Sequence, residues 1–120
     1  MYFNFPLFSA LTARAYNKVE NPVYTLEEVL AVFRHYFQTY ENTFREVHPN
    51  IRMEQIQRII RTMPYIDNNG CSSAGGDIEA EDYETLIDKH FQTQYRNCDY
   101  NINHFFSGDI RIIRFYEELY

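Results

Sequence analysis

"TLEEVLAVFRHYFQTYENTFREVHP", residues 25–49, decides the fold class. Thr25 and Glu28 have the T-x-x-E spacing of a capping box, in which two side chains satisfy free amides at a helix start. Leu26, Val29, Leu30, Phe33, Tyr36, Phe37, Tyr40, Phe44 and Val47 then fall within about one third of a helical wheel. Pro49 closes the run, because a proline cannot continue a helix. The pattern predicts a helix of roughly 22 residues, about 33 Å long, as the spine of the domain. Its aromatic stripe reads as a core face.

The segments on either side repeat the helical period. In "NIRMEQIQRIIRTMP" (50–64), Asn50 is placed to cap, and Ile56, Ile59, Ile60 and Met63 form the apolar stripe before Pro64. In "DIEAEDYETLIDKHFQTQY" (77–95), Tyr83, Leu86, Ile87, His90 and Phe91 share one face. The N-terminal "NFPLFSALTARAYNKV" (4–19) is a weaker helix, with Asn4 as cap and Leu7, Phe8 and Leu11 turned inward. "RNCDYN" (96–101) reads as a turn, in which Asp99 or Asn101 can cap the next helical segment. The tail "SGDIRIIRFYEELY" (107–120) is a final helix capped by Ser107 or Asp109. It is apolar nearly all round, which suits a buried position or self-association. No strand-like alternation persists and no internal repeat is visible. The expected fold is all-α: one compact domain over residues 1–120, a helical bundle or orthogonal array of four to six helices, with a flexible loop around 67–77.

The chain has 120 residues, 45% of them hydrophobic, enough for one core. Eleven Tyr and ten Phe with no Trp are the compositional anomaly. Tyr is amphipathic, so these rings suit the edge of a core or a partner-facing surface. No run of about 18 apolar residues is present, so no membrane span is expected. The opening residues lack a basic n-region and read as structure and not as a signal peptide. Two cysteines are too few for a disulfide framework, and reduced thiols in a cytoplasm are the expectation.

The composition and motifs offer little chemistry. "GCSSAGG" (70–76) has the outer glycine spacing of a P-loop, but Gly76 stands where the phosphate-binding Lys belongs and Asp77 where Ser or Thr belongs. "DNNGCSSAGGDI" (67–78) fails as a calcium loop, ending on Ile78 in place of the bidentate Glu. Cys71, Cys98, His35, His48, His90 and His104 form no C-x2-C or H-x3-H pair, so no zinc site is assigned. Asp99 and His104 flank Cys98, but neighbours on a short turn point in different directions and do not make a triad. No catalytic residue, metal or cofactor is expected.

Two surface features carry binding content. Asp77, Glu81, Glu84 and Asp88 recur at spacings of four, three and four, a row of like charge about 16 Å long on one helix face. Such charges repel by a few tenths of a kcal/mol per pair, which only Asp77 and Glu81, near the helix start, recover in part. The row suits a basic groove on a protein partner, such as a nucleic-acid-handling protein that it regulates or inhibits. The alternative is a basic patch of Arg58, Arg61, Arg111 and Arg114 interleaved with aromatic rings, suited to phosphates and bases. The formal net charge of −6 opposes a broad nucleic-acid footprint. Carboxylates near two of these arginines, Glu54 for Arg58 and Glu118 for Arg114, suit ordinary ion pairs. The expectation is a non-enzymatic accessory protein in the cytoplasm that binds a macromolecule, with self-association through the C-terminal helix as a further option. In general character this small, acidic, Tyr-rich helical chain resembles accessory proteins of phages and mobile elements, a likeness of composition that assigns no residue a role.

Overall fold

The computed structural model describes residues 5–65, 78–93 and 99–106. Among them the chain is all-α, with no strand and five helices: α1 (Phe5–Asn17), α2 (Leu26–Phe44), α3 (Met53–Thr62), α4 (Asp82–Gln92) and the single turn α5 (Ile102–Phe105). The final helix expected over 107–120, the loop 67–77, both cysteines and Asn4 lie outside the described residues.

The capping box forms as the spacing requires. Thr25 Oγ1 accepts from the Glu28 amide at 3.1 Å, and Glu28 Oε1 accepts from the Thr25 amide at 2.9 Å. Thr25→Ala removes one half of this reciprocal pair. Urea unfolding should show a loss of about 1 kcal/mol with an unchanged m-value.

The far end of α2 corrects the sequence expectation. The helix stops at Phe44, and Arg45 takes a left-handed conformation (φ 58°) with its amide bonded to Glu41 O. The predicted continuation to Val47 gives way to a turn that carries His48 into the core, where it is 2% exposed. Phe44, expected in the stripe, is 38% exposed and rests tilted beside Tyr40 and Tyr100. Val32, outside the expected stripe, is buried in its place.

α3 buries Ile56, Ile59, Ile60 and Met63 as predicted. Its cap position is Arg52 and not Asn50, and Gln55 Oε1 accepts from the Arg52 amide at 2.8 Å. On α1 the buried residues are Phe8, Thr12 and Ala15. Leu11 is half-buried, and Leu7, expected inside, is 60% exposed. Thr12 is tolerated inside because its hydroxyl donates to Phe8 O at 2.9 Å. α4 buries Tyr83, Leu86, Ile87 and His90, with Phe91 partly covered. Asn101 caps α5, accepting from the Asn103 amide, and Asp99 accepts from the Asn101 amide.

All five helices contribute to one hydrophobic core. α1 packs on α3 and α2, and α2 packs on α4. Phe8 stands edge-on to Phe33 and Phe37, with centroids 5.1 and 4.9 Å away. Tyr36 is the aromatic hub, in ring contact with Phe37, His48, His90, Phe91 and Phe105.

The tyrosines have a use that composition alone did not reveal. Their rings fill the core while their hydroxyls satisfy carbonyls that no helix ladder serves. Tyr83 donates to Met63 O at the end of α3 (2.5 Å), and Tyr24 donates to Ile78 O (2.5 Å). Tyr16 donates to Tyr24 O (2.6 Å), Tyr36 to Tyr100 O (2.7 Å), and Tyr100 to Thr93 O. Buried carbonyls left unpaired are costly. These phenols meet that requirement at the loops and helix ends, within the core and at its edge.

Candidate functional site

The acidic row is shorter and more divided than its spacing implied. α4 begins at Asp82, so Glu81 is its N-cap residue and not part of a longer helix. A turn precedes it, with the Asp82 amide bonded to Glu79 O and the Glu79 amide to Asp82 Oδ2. Ile78 and Ala80 of this turn are buried, 4% and 9% exposed. Asp77 lies outside the described residues.

Asp88 is engaged with α2. His35 Nε2 lies 2.7 Å from Asp88 Oδ1, an interhelical contact between two half-exposed side chains. An ionised carboxylate only accepts, so the imidazole N–H donates here. Asp88, though half-exposed, therefore joins α4 to α2, and the described acidic residues of the row without such a contact are Glu81 and Glu84.

Both line a groove of about 470 Å³ between α2 and α4. Glu28, Arg34, His35 and Gln38 of α2 complete its polar lining, with Ala31, Val32 and Ala80 as the apolar part. Glu28 is committed through one oxygen to the Thr25 cap. Arg34 also lies over the Phe5 ring, its guanidinium carbon 4.9 Å from the centroid, and borders a second hollow of about 220 Å³ with Phe37 and Glu41. Glu81 and Glu84 are exposed and have no cationic partner among the described residues. Neither carboxylate closes an ion pair with Arg34, the cation that lines the same groove.

Sequence reasoning missed the α2 side of this groove. Glu28, His35 and Gln38 recur on one face of α2 and could have been grouped as its polar stripe. Nothing in that spacing says that the stripe faces α4.

The basic alternative is only partly assembled. Arg58 and Arg61 are exposed on α3, and Arg111 and Arg114 lie outside the described residues. The Glu54–Arg58 pair suggested by the helical spacing does not close, although both are exposed. Among the described residues no group of three His, Cys, Asp or Glu side chains gathers as metal ligands would. No described helix is long and apolar enough to cross a membrane. No protein-family model, curated protein or solved structure matches the chain.

Proposed function

We propose that this chain is a non-enzymatic accessory or regulatory protein of the cytoplasm that binds a basic protein partner along the groove between α2 and α4. The observation that carries the reading is the pair of exposed carboxylates, Glu81 and Glu84, without an ion-pair partner among the described residues, on a groove lined in part by Ala31, Val32 and Ala80. A Lys or Arg side chain would lay its aliphatic stem on Ala31, Val32 and Ala80 and its cationic head against the two carboxylates. The net charge of −6 steers such a partner toward the molecule. A nucleic-acid-handling protein presents basic surface of this kind, and an inhibitor of one would occupy it.

The test is charge reversal. Glu81→Lys/Glu84→Lys spares Asp88, which holds His35, and Glu28, which caps α2, so the circular-dichroism spectrum should be unchanged. Titration with an arginine-rich peptide should shift amides around residues 28–38 and 79–88 of the wild type, and the double variant should bind at least about tenfold more weakly. Equal affinity in the two proteins rejects the groove.

Arg58 and Arg61 support a second reading, direct nucleic-acid binding, because both are exposed and neither has a carboxylate partner among the described residues. That reading predicts a gel shift at low salt that fades steeply as salt rises. In affinity capture from the native host, loss of the captured material on nuclease treatment would favour it over the acidic groove.

A further inference from the structure

His48 is a buried imidazole whose two nitrogens are both committed. It is 2% exposed and caged by Tyr36, Phe37 and Tyr40, with ring centroids 6.0, 4.9 and 4.8 Å away. Nδ1 lies 2.7 Å from Pro49 O, and the Ile102 amide lies 3.0 Å from Nε2. The carbonyl can only accept and the amide can only donate. The ring is therefore the neutral tautomer with its proton on Nδ1 and a lone pair on Nε2.

The Ile102 amide is the first of α5, one of the helix-start donors that no intrahelical carbonyl serves. Asn101 serves the Asn103 amide. His48 reaches across 54 residues to serve Ile102. Ile102, Phe105 and Phe106, the apolar content of this turn, are all buried. A proton on Nε2 sets an N–H against an N–H, removes the cap, and places a cation in an aromatic cage.

We propose that His48 is an acid-sensitive latch: its neutral form pins the start of α5 to the turn that follows α2, and its protonation releases Ile102–Phe106 from the core. The surrounding groups define the competition. From α2 come the Tyr36 and Tyr40 phenols, that of Tyr36 already donating to Tyr100 O. From the His48 segment comes Glu46, and ahead of α5 comes the exposed Asp99. From α4, His90 contacts the same Tyr36 ring, and on α5 His104 is exposed. Burial holds the His48 pKa below the ordinary 6.5, against the opposing pull of the Pro49 carbonyl and the Asp99 carboxylate. As pH falls, the unfolded form takes up the proton first. The stability contribution is complete above 6.5 and is lost as pH falls from there toward the folded value.

Amide hydrogen exchange on the full chain between pH 7.5 and 5.0, corrected for the intrinsic chemical rate, tests the latch. Protection at Ile102, Phe105 and Phe106 should drop as pH falls below 6.5, about tenfold for each unit by which the folded His48 pKa is depressed, and should level off where His48 itself titrates in the NMR spectrum. Protection of Ile56–Ile60 in α3 should persist. In His48→Gln the amide oxygen can still accept from Ile102 but has no proton to gain, so protection should be lower at pH 7.5 and flat on acidification. Should that variant not fold, the His48 15N shifts of the wild type must still report a lone pair on Nε2 at pH 7.5 and a titration at the pH where the loss levels off. Flat Ile102 protection in the wild type, loss that follows His90, an equal slope in His48→Gln, or α3 falling in step with α5 would each overturn the proposal.

Discussion

Tyr36→Ala is expected to leave the chain without a cooperative fold, or with its unfolding free energy lowered by about 4 kcal/mol or more. Truncating a buried aromatic to Ala costs about 3–5 kcal/mol, because lost transfer energy and a residual cavity add. Tyr36 is fully buried, and its ring contacts include those of α4, α5 and the His48 turn. Its hydroxyl also donates to Tyr100 O, a residue held at φ 57° in a region that aromatic residues seldom occupy. Removing that donor strands a buried acceptor, for about 1 kcal/mol more. A domain of this size has about 5–15 kcal/mol in all. Urea unfolding, with near-UV circular dichroism as the check on packing, reads the result. Tyr36→Phe keeps the ring and should lose only about 1–2 kcal/mol. A Tyr36→Ala protein as stable as Tyr36→Phe would show that Tyr36 is not the hub.

Phe8→Ala should be nearly as damaging, at about 3–5 kcal/mol, and should act on a different part of the molecule. Phe8 is the α1 ring that inserts edge-on against Phe33 and Phe37. The rest of the buried α1 face is Thr12 and Ala15, which offer little area. α1 amides should exchange earliest in the variant, while α4 retains its protection. Leu7→Ala, at the neighbouring but 60% exposed position, should change stability by less than about 0.5 kcal/mol. Equal losses at the two positions would contradict the orientation of α1.

The parts of the fold that were legible in the sequence are those whose cause is local. Thr25 and Glu28 are three residues apart, so their capping box needs nothing beyond the first turn of α2. Ile56, Ile59, Ile60 and Met63, like Tyr83, Leu86, Ile87 and His90, repeat at the helical period, and each set is buried together. Leu7 went the other way. Two apolar residues adjacent on a helix point about 100° apart, and α1 has one covered side, which Phe8 takes.

The candidate site was legible only as a list of charges. Glu81, Glu84 and Asp88 stand out by spacing, but their separate fates depend on α2. Asp88 meets His35, 53 residues away, while Glu81 and Glu84 border the open groove. The basic patch shows the same limit in reverse. Glu54 and Arg58 have the spacing for a pair, yet exposed ion pairs are worth so little that spacing alone does not close them.

By itself, then, the sequence determined that this chain is helical, where most of its helices lie and which faces they bury, because capping and periodicity act within a few residues. The tertiary structure decided where α2 stops, where α4 starts, and what the tyrosine hydroxyls and His48 are for. Those outcomes turn on polar groups that must find partners once water is excluded. Their partners (Met63 O for Tyr83, Tyr100 O for Tyr36, the Ile102 amide for His48) lie 20 to 64 residues away, beyond the reach of any local pattern.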